Sequence, residues 1–174
     1  IIFPFNGNAM EAMDYVDLQS REVVLADDFK ADTTYSGITV KKSKEILRQE
    51  IPMDVLAVPG GSESYRNRAK LIESFKQPNL TFTNVVSSNA FIGREVKMGV
   101  NNFIGAQSVV TSNAHLGSHI VMLMNSVVHH DCHVADYSII CSGCLLSGNV
   151  TLERNVYIGS GVRLLNNVTI GEGA

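Results

Sequence analysis

The segment Asn125-Ser-Val-Val-His-His-Asp131 carries the residue types that proton transfer requires. An imidazole titrates near neutral pH, and an adjacent carboxylate can fix its tautomer and raise its basicity. His130 with Asp131 therefore reads as a general base with its orienting acid. Adjacent His and Asp are also common as a solvated surface pair, and on residues alone the two readings stand level. A second group of polar residues follows apolar runs near the N-terminus. Asn6, Gly7 and Asn8 follow IIFPF, Asp27 and Asp28 follow EVVLA, and Gly60 and Gly61 follow DVLAVP. Taken singly these are turn and cap residues, and the chain lacks a GxGxxG fingerprint. Taken together they are loops after strands that could hold a ribose or base, with carboxylates accepting hydroxyl or ring N–H hydrogens.

The elements that must position His130 are set by a repeat. From Ile92 to Ile170 every sixth residue is aliphatic, fourteen in register. A period of six fits neither a helix nor an isolated strand and signals stacked coils of a parallel β-helix. The position two before each aliphatic is a small residue or valine except at Asn102 and Ile120. The position after it is glycine at Gly93, Gly99, Gly105, Gly117, Gly159 and Gly171, where a positive φ or lack of room for Cβ is expected. Three hexads close one coil, so residues eighteen apart stack about 4.8 Å from one another. With Val128 inward, His130 faces outward between Ser112 and Gly148, and Asp131 lies between Asn113 and Asn149. Gly148 leaves open space above the imidazole. Cys141 and Leu123 stand at outward turn positions. Nothing pairs Cys141 with a base, and the repeat alone would leave Leu123 exposed.

Before the repeat the pattern changes to strand, helix, strand, helix. IIFPF is a strand in which Pro4 implies an edge or irregular position. An amphipathic helix follows in AMEAMDYVD, then a strand in EVVLADD, a Gly-containing turn, a short helix around SKEIL and a third strand in DVLAVPGG. SESYRNRAKLIESF is a third helix and LTFTNVV a fourth strand leading into the repeat. This predicts a small α/β (Rossmann-like) domain over 1–79 and a β-helix over 80–174, with ligands expected at the carboxyl ends of the first domain's strands.

Composition narrows the function classes. A net charge of −3 over 174 residues offers no basic surface for nucleic acid. No apolar run approaches the roughly 18 residues that span a bilayer, and no signal peptide opens the chain, so a cytoplasmic protein without membrane insertion is expected. Of three cysteines, Cys132 and Cys144 fall at inward positions and read as packed thiols. A start at Ile1 and a stop at Ala174 in mid-repeat are expected of a chain lacking residues at both ends.

On these motifs the repeat resembles the left-handed parallel β-helix of hexapeptide acyltransferases. With Asn6-Gly7-Asn8, LADDFK, and SVVHHDC followed eighteen residues later by SGNVTL, the whole chain resembles the sialic acid O-acetyltransferase and bacillosamine N-acetyltransferase group. The resemblance implies the left-handed winding, a catalytic His130 with acidic partner Asp131, and a nucleotide-sugar loop on Asn6, Gly7 and Asn8, with Asp27, Asp28 and Gly60 beside it. It implies acetyl-CoA as co-substrate, touching backbone at Gly148 and Ser160, no metal, and a homotrimer with active sites between subunits. The acceptor it implies is the amino group of a nucleotide-linked amino sugar, a UDP-linked 4-amino sugar above all, with O-acetylation of a sugar or sialic acid as the alternative. Where such proteins often carry a second histidine near the thioester this chain has Ile139, and where Asn is frequent it has Leu123, which the trimeric assembly implied by the resemblance makes a subunit contact. His129 stands in place of an acid.

Two other classes use the same scaffold. A γ-carbonic-anhydrase-like metal enzyme needs three converging imidazoles; His115 and His133 stack eighteen apart, but no two histidines lie five apart. A non-catalytic trimeric scaffold that binds a nucleotide would keep the fold without needing His130.

Overall fold

A computed structural model describes all 174 residues. The N-terminal part is a six-stranded sheet built from β1 (Ile2–Phe3), β2 (Leu25–Ala26), β3 (Thr34–Tyr35), β4 (Ile38–Lys41), β5 (Met53–Ala57) and β6 (Leu80–Phe82), in the order β3-β4-β2-β1-β5-β6. Only β3–β4 is antiparallel, a hairpin turning at Ser36 and Gly37, both at positive φ. These two short strands lie where the sequence suggested only a turn. Helices α1 (Gly7–Met13), α2 (Ser43–Leu47) and α3 (Arg68–Glu73) punctuate the sheet.

β1 is central rather than at an edge, pairing with both β2 and β5. Pro4 does not interrupt its ladder because the strand ends at Phe3. Asn6 then caps α1, its side-chain oxygen accepting from Ala9 N at 3.0 Å. The sheet's last strand, Leu80–Phe82, pairs with β5, and the first strand of the repeat begins at Val85.

From there the chain is a parallel β-solenoid. Two-residue strands cycle through three five-stranded sheets, and every pairing joins residues eighteen apart, as in Val127↔Leu145 and His115↔His133. The second residue of each strand points inward. Ile104, Met122, Val128, Val134, Ile140, Leu146 and their equivalents form one continuous buried core. The small inward positions do more than save space. Ser108, Ser126, Cys132 and Cys144 each donate to the carbonyl fifteen residues ahead, at 2.8–3.2 Å, so a buried hydroxyl or thiol satisfies a corner of the next coil. Burial pushes the Cys132 and Cys144 thiols above their ordinary range. Asn102, the polar exception, is wholly buried and satisfied: it donates to Gly117 O at 2.9 Å and accepts from Ile120 N at 2.8 Å.

The corners correct one expectation. The left-handed backbone falls not on the glycines after the aliphatics but two residues later, at Glu95, Asn101, Gln107, Asn113, His119, Asn125, Asp131 and onward every sixth residue. Asparagine tolerates this conformation, which explains its abundance there. Gly93 and Gly105 serve the other role: a Cβ would lie 3.0 and 2.9 Å from the next coil's backbone.

The three faces differ in what covers them. The first face, with outward residues Phe103, Val121 and Ile139, is buried under the N-terminal sheet. Cys141 and Leu123 pack in that same junction, so Cys141 is buried rather than outward, and Leu123 meets its own chain's first part rather than standing exposed. The second face presents Phe91, Val109, Val127, Leu145 and Arg163, and Phe91 is 59% exposed. The third presents Lys97, His115, His133, Thr151 and Thr169.

A polar seam holds the two parts together along the edge between the third and first faces. Asn101 is wholly buried and pairs with Ala57 through both backbone groups, at 2.6 and 2.8 Å. Arg68 is wholly buried too, donating to the carbonyls of Pro59, Tyr137 (3.1 Å) and His119 (2.5 Å). Burial lowers its pKa to about 9, which still leaves it charged at neutral pH. His119 stacks on Tyr137, accepts from Asn101 Nδ2 at 2.9 Å, and is pushed down to about 4, first by burial and then by the Arg68 charge. The folded chain therefore resists protonating His119 while the unfolded chain protonates near 6.5. This contribution to stability is full above about pH 6.5 and lost as pH falls toward 4. Thermal melts of the wild type should show a decline already between about pH 6.5 and 5, before most carboxylates titrate. In His119→Asn, which suits the left-handed backbone, that decline should flatten; an unchanged slope would remove His119 as its source.

Candidate functional site

His130 and Asp131 occupy the edge between the second and third faces. The imidazole Nδ1 lies 2.7 Å from Asp131 Oδ2, and the pair is half-exposed, at 61% and 49% of side-chain area. A carboxylate only accepts, so Nδ1 carries the hydrogen, and in the neutral ring Nε2 keeps its lone pair. The Asp131 carboxyl is held below its usual range, first by the hydrogen bond from His130 and then by one from Asn113. Nε2 and Cε1 lean over Gly148, where an added Cβ would sit 2.8 and 2.7 Å from them, with Asn166 Nδ2 at 3.2 Å. The space that the eighteen-residue register assigned to Gly148 is thus occupied by the imidazole itself.

Gly148→Ala is accordingly a probe of the ring's position. Gly148 does not adopt a positive φ, so alanine fits the backbone, but the methyl must displace His130. If His130 does chemistry, the rate should fall about 10–100-fold with an unchanged melting temperature, by analogy with misplacement of a positioned catalytic group. Gly159→Ala, where no atom lies within 4 Å of a Cβ, should leave the rate unaltered. Equal rates in both variants would show that the ring's position is immaterial.

The N-terminal candidates gather at the carboxyl ends of β1, β2 and β5. Asn6 Nδ2 donates to Val58 O at 3.1 Å, and Asn8 Nδ2 reaches Val58 O and Gly60 O at 3.3 and 3.4 Å, tying the loop after β1 to the loop after β5. Gly7 opens α1 with nothing within 4 Å of a would-be Cβ. Asp27 is buried, and its Oδ1 accepts from Phe29 N and Lys30 N at 2.8 and 3.0 Å; Asp28 Oδ1 accepts from Ser43 N at 2.8 Å, at the start of α2. One oxygen of Asp27 thus shapes its own loop, and one of Asp28 ties that loop to the start of α2. Lys30 Nζ crosses to Phe5 O at 2.9 Å. Gly60 has φ +118, and a Cβ there would lie 2.9 Å from Ile139 Cδ1, so the β5 loop rests against the first face of the solenoid. Ile139 is 2% exposed and therefore serves the junction between the two parts.

The residues form two groups. His130, Asp131 and Gly148 converge on one edge. Asn6, Gly7, Asn8, Asp27, Asp28 and Gly60 lie over the first face, which is opposite that edge in a three-sided prism. Ser160 is exposed on the remaining edge, beyond the second face. Asn113, Lys30 and Arg68 were not singled out from the sequence. Of these only Asn113 had a visible signal, its place one coil before Asp131. His115 and His133 stack at 6.2 Å between ring centroids, and no three His, Cys, Asp or Glu side chains gather anywhere in the chain. A cavity of about 410 Å³ opens at the amino-terminal ends of the strands, around Ile1, Val23, Met53 and Asp54, away from both groups.

No protein-family model matches the chain, and no curated protein sequence does. Solved structures do share its fold. The acetyltransferase domain of PglB from Neisseria gonorrhoeae FA1090 in complex with acetyl coenzyme A superposes with a TM-score of 0.89 at 21% identity, over 99% of this chain and 84% of that one. WeeI from Acinetobacter baumannii AYE gives 0.73 at 20%, over 98% and 92%. PerB from Caulobacter crescentus, in complex with CoA and GDP-perosamine, gives 0.75 at 17%, over 98% and 90%. The shared fold spans the N-terminal sheet and the solenoid together.

Proposed function

We propose that this chain transfers an acetyl group from acetyl-CoA to the amino group of a nucleotide-linked amino sugar, with His130 as general base. The observation that carries the reading is the exposed His130, its Nδ1 hydrogen-bonded to Asp131 and its Nε2 lying over a glycine. The fold it shares with an acetyl-CoA-bound acetyltransferase domain and with PerB bound to CoA and GDP-perosamine supports the same class of reaction. Residues 1–79 are then a Rossmann-like nucleotide-sugar domain, with Asn6, Gly7, Asn8, Asp27, Asp28 and Gly60 around the nucleotide, and 80–174 a left-handed β-helix. Gly148 and Ser160 offer backbone to acetyl-CoA.

In this reaction the amine nitrogen attacks the thioester carbonyl, the new C–N bond forms, and the C–S bond breaks. His130 Nε2 takes the proton that the nitrogen loses, Asp131 stabilises the imidazolium, and the departing thiolate regains a proton. No covalent enzyme intermediate is required. Binding both reactants in one place supplies much of the remaining acceleration.

The placement of the two groups on opposite sides of the prism favours an active site shared between copies. A nucleotide held over the first face is separated from its own chain's His130 by the width of the solenoid. A homotrimer, with each acceptor reaching a neighbour's base, resolves this. The second face is suited to such packing: it borders His130 and is apolar through Phe91, Val109, Val127 and Leu145.

The test is thiol release from acetyl-CoA with a panel of UDP- and GDP-linked 4-amino sugars and free sialic acid. The reading expects turnover with an amino sugar, the UDP-linked compounds foremost. Release with sialic acid alone would turn it to O-acetylation, and no release with any acceptor from a trimeric protein would exclude a transferase.

A further inference from the structure

We infer that Asn113 is a positioning residue for the His130–Asp131 pair, its side-chain amide locking the carboxylate that in turn orients the imidazole. Asn113 Nδ2 donates to Asp131 Oδ1 at 2.6 Å, while His130 Nδ1 donates to Asp131 Oδ2 at 2.7 Å. Each carboxylate oxygen therefore has its own donor, and the group cannot rotate away from the imidazole without breaking the bond to Asn113. A hydrogen bond from a neutral amide to a carboxylate is charge-assisted and stronger than one between neutral groups.

The solenoid makes this arrangement rigid. The flanking pairings Val109↔Val127 and His115↔His133 place Asn113 one coil before Asp131. Both residues adopt the left-handed backbone, at φ +64 and +60. Asn113 is itself anchored: its N–H donates to Arg94 O at 3.0 Å, and its carbonyl lies 3.1 Å from His115 Nδ1. The next coil gives no equivalent support, because Asn149 donates away from Asp131, to Asn167 Oδ1 at 2.7 Å. Asn113 is thus the one side chain besides His130 that holds the carboxylate, which agrees with its second place among the causes of the lowered Asp131 titration.

The role in catalysis rests on the function proposed above, but the positioning itself can be read without turnover. Asn113→Gly removes the amide and keeps the left-handed backbone, and Asn113→Asp keeps size and backbone while replacing the donor with a second carboxylate. Nitrogen-15 NMR of histidine side chains in the full chain reports the neutral His130 tautomer, and carbon-13 NMR reports the Asp131 titration. In the wild type the Nδ1–H form should predominate. In Asn113→Gly that predominance should weaken and the Asp131 titration should move up, by less than in His130→Ala. Asn113→Asp should raise it as well. Turnover should fall about tenfold with both KM values within about twofold of wild type, the pattern of a lost orienting contact. In an Asp131→Asn background Asn113→Gly should cause no further loss.

An unchanged tautomer and unchanged Asp131 titration in both Asn113 variants would overturn the inference. If the tautomer and titration shift as expected while even the wild type transfers no acetyl group, the positioning role stands and the transferase reading is what fails.

Discussion

Replacing His130 by alanine is expected to lower acetyl transfer by about 10² to 10⁴, the usual worth of a positioned general base. The side chain is more than half exposed and packs in none of the three hydrophobic cores, so its removal should leave folding and assembly intact. KM for both substrates should change little, because the lost interaction belongs to the transition state rather than to binding. Asp131→Asn should be impaired as well. An amide can present its NH₂ to Nδ1 and stabilise the tautomer with hydrogen on Nε2, which cannot accept a proton from the amine. Initial rates of thiol release, paired with sedimentation to confirm the assembly, check both. A His130→Ala enzyme with wild-type turnover would place the base elsewhere.

The second large effect is on stability. Arg68→Met should lower stability by about 3 kcal/mol, since it strips hydrogen bonds from three carbonyls and each orphaned buried group costs about 1–3 kcal/mol, offset in part by no longer burying a charge. At about 2–4 °C per kcal/mol for a chain of this size, the melting temperature should drop by roughly 10 °C. The carbonyls concerned belong to Pro59, beside the Gly60 loop, and to His119 and Tyr137 on successive coils. The loss should therefore loosen the junction between sheet and solenoid. Arg66→Met is the control, because Arg66 is exposed and donates to Gly173 O at 3.2 Å; its melt should shift by little. A melting temperature for Arg68→Met at or above wild type would mean that burying the guanidinium outweighs its three hydrogen bonds.

Arg68 also shows where sequence reading stops. A charged residue within RNRAKLIESF looks like the solvated side of a short helix, and nothing local reveals that the solenoid closes over it. The same tertiary fact explains Leu123, Cys141 and Ile139. A hexad repeat separates inward from outward positions, but it does not say which outward face the N-terminal sheet covers, so all three looked available to solvent or substrate. What depended only on the period was readable: the core, the stacking of residues eighteen apart, and the meeting of His130 with Gly148. The corner conformation was misplaced by two residues because glycine suggests positive φ, whereas here asparagine and its neighbours carry it and several glycines answer to crowding. Asp27 and Asp28 show how much backbone demand can occupy a candidate site residue, since Asp27 spends one oxygen on its own loop and Asp28 one on the start of α2.

The central claim is tested most directly by incubating the wild type and His130→Ala with acetyl-CoA and a UDP-linked 4-amino sugar, then identifying the product by mass spectrometry and NMR. The account predicts a sugar carrying one acetyl group on its amino nitrogen, formed by the wild type and formed at least about 10²-fold more slowly by the variant. Unmodified sugar with the wild type across both UDP- and GDP-linked acceptors, or equal product from both proteins, would contradict it.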